Sequence, residues 1–106
     1  MDLLPEAKFE HGQIVATKTV HEYMQSVPKF RDFIAKSLAR YFLCDWGDTC
    51  ENDKKLNDEA VKNGERILAA YIFDFNLPPR SVDNQKIWII TEWDRSVTTI
   101  LFPEEY

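Results

Sequence analysis

Three apolar runs in the C-terminal part of the chain restrict its fold more than any other feature. RILAAYIF spans residues 66–73, KIWIITE spans 86–92 and VTTILF spans 97–102. Runs of this length, rich in β-branched and aromatic residues, predict β-strands, and the middle run is apolar on both faces, as a central strand is. Only residues 93–96 separate the last two runs, so we expect a β-hairpin there.

A strand and two helices are predicted before these runs. Residues 13–18 form a short β-branched stretch that predicts a first strand. Thr19, with Glu22 three residues later, resembles the capping box of a short helix that runs through Met24. Residues 28–43 then carry apolar side chains at i, i+3 and i+4 spacing, which predicts an amphipathic helix.

A third helix is expected over residues 50–63. Thr49 is a suitable N-cap, and acidic residues in the first turn suit the helix dipole. The spacing places Leu56, Ala60 and Val61 on the inner face of this helix. Asn63-Gly64 is a typical helix end.

The predicted order is therefore β-α-α-α-β-β-β. Helices followed by strands indicate an α+β fold with helices packed on one face of a mainly antiparallel sheet. A chain of 106 residues, 44% of them hydrophobic, suits one domain over residues 1–106. Residues 1–11 mix apolar and charged side chains and are interpreted as a loose N-terminal arm.

Charge and composition exclude several classes of function. The net charge is −5, with 13 basic and 18 acidic residues and no basic stripe, so we expect no direct nucleic-acid binding. No apolar run is long enough to span a membrane, and no secretory signal begins the chain. We therefore expect a cytoplasmic protein without membrane contact.

The sequence gives no positive indication of an enzyme, a metal or a cofactor. Cys44 and Cys50 are too widely spaced for a typical zinc pair, and the two histidines lie far upstream. No nucleophile elbow and no phosphate-binding glycine loop occur. We expect no catalytic residues, no metal site and no cofactor.

The first candidate site is the acidic stretch that begins with Asp45-Trp46-Gly47-Asp48. Between residues 45 and 59, six acidic residues face two lysines, which favours a partner with a basic surface. In this interpretation the acids present charge and Trp46 anchors the contact. Capping by Asp48, or a solvated helix face, would explain the same residues structurally. The predicted partner-binding residues are Asp45, Trp46, Asp48, Glu51, Asp53, Asp58 and Glu59.

The second candidate site is the hairpin end, where an Arg–carboxylate pair can pin the turn or orient the acidic loop. Its residues are Glu92, Trp93, Asp94 and Arg95. Residues 74–85 form a long connection with two prolines, which predicts a binding loop or a mobile hairpin tip.

Two stretches resemble a family of short bacterial proteins encoded on plasmids and integrative conjugative elements, some of them labelled as related to restriction–modification. They are DWGDTCENDKKLNDEAVKNGERILAAY over residues 45–71 and KIWIITEWDRSVTTILFPEEY over residues 86–106. The first motif matches at Asp45, Trp46, Gly47, Asp48, Asp53, Asn57 and Glu59. The second matches at Thr91, Glu92, Asp94, Arg95, Ser96, Thr98 and Thr99, whereas Trp93 departs from it. The family has no established activity, so the resemblance implies a setting on mobile elements.

Three hypotheses follow. The leading one is an accessory protein of a mobile element that acts by protein–protein contact and inhibits a host defence nuclease, as anti-CRISPR and anti-restriction proteins do. The second is a small-molecule or nucleotide binder, or a weak hydrolase, which requires residues 45–48 and 92–95 to meet in space. The third is a structural homodimer that uses the aromatic helix face or an edge strand.

Overall fold

The computed structural model describes residues 4–80 and 85–106. Within these ranges the chain forms three α-helices, four strands and a short 3-10 helix. In chain order they are β1 (Gln13–Ala16), α1 (Lys18–Ser26), α2 (Pro28–Phe42), α3 (Glu51–Asn63), β2 (Ile67–Ile72), β3 (Lys86–Thr91), β4 (Val97–Leu101) and the 3-10 helix Pro103–Glu105. The predicted α+β order is confirmed.

The four strands form one sheet in the order β1-β4-β3-β2. β2 and β3 pair antiparallel, as do β3 and β4, whereas β1 runs parallel to β4. The predicted hairpin joins β3 to β4, and both are interior strands. Their interior position explains why both faces of these strands are apolar.

The core lies between α2 and one face of the sheet. The stripe predicted for α2 is buried and includes Phe30, Ile34, Leu38, Tyr41 and Phe42. These side chains meet the strand residues Ile67, Ala69, Tyr71, Ile87, Ile89 and Ile100. Because side chains alternate between the faces of a strand, the residues between them point to the opposite face of the sheet.

Two helix starts differ from the sequence prediction. The N-cap of α1 is Thr17 rather than Thr19, and the Thr17 hydroxyl accepts a bond from the Val20 N–H. The N-cap of α3 is Cys50, because Thr49 bonds elsewhere. The Thr49 hydroxyl donates to the Trp46 carbonyl and accepts from the Ala70 N–H. The Thr49 side chain therefore bonds β2, although the local sequence predicts that it caps the helix.

The inner face of α3 also differs from the prediction. Leu56 is 53% exposed, whereas Asn57 and Ala60 are buried. The polar Asn57 lies inward because it bonds the backbone of β2, an interaction that hydrophobic periodicity does not anticipate.

The segment before β1 is attached to the end of α2. The Lys8 N–H donates to the Phe42 carbonyl at 2.9 Å, and the His11 ring stacks on Phe42 at a centroid distance of 4.6 Å. Phe9 contacts the ring of Tyr41 edge-on. This part of the predicted arm thus packs on the domain, and residues 1–3 of the arm lie outside the described residues.

The connection after β2 packs on the domain as far as it is described. Phe73 and Leu77 are buried, and the Pro78 carbonyl accepts a bond from the Tyr23 hydroxyl at 2.9 Å. Arg80 pairs with Glu104 and covers the ring of Phe102. The rest of the predicted loop, residues 81–84, lies outside the described residues.

In the described part of the chain, no helix is both long and apolar enough to cross a bilayer.

Candidate functional site

Residues 47–49 of the acidic stretch run beside the outer edge of β2. The Asp48 N–H donates to the Ala70 carbonyl at 2.8 Å, and the Ala70 N–H donates to the Thr49 hydroxyl at 2.9 Å. The Ile72 N–H donates to Asp48 Oδ2 at 2.8 Å. Asp48 therefore bonds a strand, and the capping role considered for it from the sequence is wrong.

Asn57 on α3 extends this contact along β2. Its Nδ2 donates to the Leu68 carbonyl at 2.8 Å, and its Oδ1 accepts from the Leu68 N–H at 3.3 Å. The side-chain amide thus pairs with Leu68 as a neighbouring strand would. Side-chain oxygens accept from the outward N–H groups of Leu68, Ala70 and Ile72, which protects an edge strand from pairing with another chain.

Gly47 allows the loop to approach this closely. Its φ is +62°, and a Cβ at this position would overlap the ring of Tyr71 and the carbonyl oxygen of Ala70. Position 47 therefore requires glycine for two reasons: its backbone is left-handed, and there is no room for a side chain.

Asp45 stabilises the start of the loop. Its two oxygens accept from Arg40 Nε at 2.8 Å and Nη2 at 3.2 Å, and Oδ1 also accepts from the Gly47 N–H. The Arg40 bonds, followed by the Gly47 bond, hold the pKa of this carboxyl below its usual range. The Tyr71 hydroxyl donates to the Asp45 carbonyl at 2.7 Å. Asp45 thus interacts with the fold itself.

Trp46 lies inside the domain, where it contacts Tyr41 and Phe9 and is only 3% exposed. Its indole N–H donates to Asp58 Oδ1 at 2.9 Å. A side chain this deeply buried offers no surface to a partner, so the structure does not place Trp46 where an anchor of a protein contact would lie.

The other predicted acids, Glu51, Asp53, Asp58 and Glu59, are exposed on α3. Glu51 lies 3.5 Å from Lys54, and Lys55 and Lys62 lie among the acids on the same helix. The outer side of α3 is therefore a charged surface of mixed sign with a small acidic excess.

The hairpin end closes the opposite end of α3. Arg95 donates to the carbonyls of Ala60 at 2.9 Å and Glu65 at 2.7 Å. The Ala60 carbonyl already accepts from the N–H groups of Gly64 and Glu65, so the guanidinium adds a charged donor that suits the negative end of the helix dipole. The carboxylate pairing expected for Arg95 is instead made by Arg66, whose Nε lies 3.6 Å from Glu92.

The remaining hairpin residues form the turn itself. Asp94 accepts bonds from the Ser96 hydroxyl and N–H, which lower the pKa of Asp94. Trp93 is 69% exposed at the tip.

The two candidate sites do not form one pocket. Asp48 bonds Ile72 at the last residue of β2, whereas Glu92 and Arg95 lie beside the residues that precede β2. At about 3.3 Å per residue, the length of β2 separates them by roughly 15 Å. The structure therefore does not meet the condition on which a shared ligand site depends.

Sequence reasoning missed a buried chain of hydroxyl groups. Tyr41 Oη lies 2.6 Å from Thr91 Oγ1, which lies 2.7 Å from Thr98 Oγ1, and Thr98 donates to the His11 carbonyl at 2.7 Å. The sequence signal that could have predicted it is the pair Thr91 and Thr98, which lie two residues before and two residues after the predicted hairpin turn. The chain ties α2, the hairpin and the N-terminal segment together.

Within residues 4–80 and 85–106, no group of three or more His, Cys, Asp or Glu side chains is arranged to hold a metal ion. Comparison with protein-family models, with curated proteins and with solved structures gives no match.

Proposed function

We propose that this chain acts by protein–protein contact through the exposed acids of α3. This acidic surface consists of Glu51, Asp53, Asp58 and Glu59. The observation that supports the proposal is the rigid attachment of α3 to the sheet by Asn57, Arg95 and the Trp46–Asp58 bond. A surface fixed before binding loses little conformational entropy when it meets a partner.

The chemistry of this surface suits a partner with basic side chains. Complementary charge increases the rate of encounter and selects the partner, even where lysines lie among the acids. Arg40 offsets the negative charge of Asp45, and Asp48 bonds the backbone of β2. The proposed contact is therefore centred on α3 rather than on residues 45–48.

The proposed setting is the bacterial cytoplasm, in an accessory protein of a mobile genetic element. The support is the resemblance of residues 45–71 and 86–106 to proteins of plasmids and conjugative elements. In that setting a mobile element encounters host defence nucleases of the restriction or RNA-guided class, and such nucleases have a basic nucleic-acid channel. We therefore propose inhibition of such a nuclease.

The test is protection of plasmid DNA from a purified restriction endonuclease and from a purified RNA-guided nuclease, over a range of salt concentrations. The test variant is Glu51→Gln with Asp53→Asn and Glu59→Gln. The control variant, Glu6→Gln with Glu10→Gln and Asp32→Asn, removes the same charge from exposed positions elsewhere. We leave Asp45 and Asp48 intact because their replacement would disturb the fold.

We expect the wild type and the control variant to slow cleavage by one of the nucleases, and the test variant to lose at least about tenfold in potency. Added salt should weaken the wild type. Equal potency of the two variants would contradict the acidic surface, and unprotected DNA with the wild type would contradict inhibition of the nucleases tested.

A further inference from the structure

The sheet face turned away from the helices is apolar, although the exposed face of such a sheet usually carries polar residues. The strand register places Leu68 beside Ile90 and Ile90 beside Thr99, with Trp88 beside Leu101 in the next row. Of the residues of β2, β3 and β4 that point to this face, only Lys86 is charged, and it lies at the start of β3. Arg66, just before β2, brings a further charge to this face, and Glu92 lies 3.6 Å from it and offsets it.

Three side chains form a raised cluster on this face. The rings of Trp88 and Tyr106 lie 5.8 Å apart, and the Arg66 guanidinium lies 5.0 Å from the centroid of the Tyr106 ring. Arg66 Nη1 donates to the Tyr106 hydroxyl at 2.6 Å. Tyr106 is 68% exposed, and Ile72 at the edge of the face is 57% exposed. Trp, Tyr and Arg are the residues that most often dominate binding energy in protein interfaces.

We propose that this sheet face binds a second copy of the chain, so that two sheets pack face to face. A two-fold axis brings like residues together, and the Arg66 charge on this face is offset within each copy by Glu92. The acidic surface belongs to α3, which packs against the other side and the outer edge of β2.

The size of the face suits a weak dimer. Four strands about 4.8 Å apart and five residues long give a surface of roughly 14 by 17 Å. Two such faces measure roughly 480 Å² together, and Ile90 and Leu101 add little because they are only 3% and 4% exposed. The exposed rim formed by Tyr106 and Ile72 extends the contact toward the roughly 1,000 Å² of the weakest specific interfaces. Sheets packed in this way align within about 30°. The expected dimer forms at micromolar concentrations.

Sedimentation equilibrium of the full chain, from low to high micromolar concentration and at two salt concentrations, tests this proposal. The test variant is Ile72→Lys, which adds a charge to the face at an exposed position. The control variant is Leu43→Lys, at an exposed apolar residue that follows α2 on the helix side. Circular dichroism establishes that both variants fold.

We expect the wild type and Leu43→Lys to dimerise alike, nearly independently of salt, and Ile72→Lys to dimerise at least about tenfold more weakly. A monomeric wild type at every concentration overturns the proposal. So does a dimer that Ile72→Lys leaves unchanged, since its interface would lie elsewhere. This proposal does not depend on nuclease inhibition. Inhibition is tested separately, by the α3 variants and by the salt dependence of plasmid protection.

Discussion

At the scale of single residues, the side chains that look most reactive in the sequence interact with the fold itself. Asp45 and Asp48 carry charge beside a tryptophan and a glycine, a composition typical of binding loops. In the structure, Asp45 bonds Arg40 and Asp48 bonds the backbone of β2. Gly47 permits both arrangements, because any side chain there would enter the space of Tyr71.

We predict that Gly47→Ala costs about 3 kcal/mol in the free energy of unfolding, because it combines left-handed strain with displacement of the Tyr71 ring. Gly64→Ala is the matched control, since φ is +71° there and, apart from its chain neighbours, nothing lies within 4 Å of the added Cβ. That variant has the strain alone, about 1 kcal/mol. Urea unfolding measures both changes, and equal losses would show that the space beside Tyr71 is not limiting.

At the scale of elements, α3 and the loop before it act as a substitute fifth strand. They satisfy the outer edge of β2 with two side-chain oxygens, one side-chain amide and one backbone N–H. This arrangement accounts for motif residues on both the loop and the helix, and it explains why α3 turns an asparagine inward.

Asn57→Asp should lower the free energy of unfolding by about 2 kcal/mol. The change removes the donor to the Leu68 carbonyl and places a carboxylate against that oxygen. Asn52→Asp, at an exposed position in the first turn of the same helix, makes the same chemical change and should be neutral within about 0.5 kcal/mol. Thermal unfolding compares the two variants. Equal effects would mean that the pairing of Asn57 with β2 contributes little.

At the scale of the whole molecule, two buried tyrosines connect separate parts of the fold. Tyr41 bonds Thr91 in the hairpin, and Tyr71 bonds the carbonyl of Asp45 in the loop. Burial raises the pKa of both hydroxyl groups well above their ordinary value. Both groups therefore remain protonated in the folded chain when the unfolded chain begins to ionise.

This difference predicts alkaline destabilisation. The raised pKa values leave stability intact below about pH 10, the ordinary tyrosine pKa, and stability falls as the pH rises further because only the unfolded chain releases these protons. Tyr41→Phe should reduce the slope of unfolding free energy against pH by up to about 1.4 kcal/mol per pH unit. Urea titrations between pH 8 and pH 11 measure it. An unchanged slope in the variant would contradict the assignment to Tyr41.

The sequence by itself determined the elements and the class of fold. The stripe of α2, the hairpin and the glycine end of α3 follow from periodicity and turn chemistry, which act between neighbours in the chain. Only the tertiary structure decided which polar groups remain available to a partner. Asp48, Thr49 and Asn57 bond residues more than ten positions away, and Trp46 bonds Asp58 from inside the core. Those contacts depend on where β2 lies relative to α3, and no local pattern encodes that position.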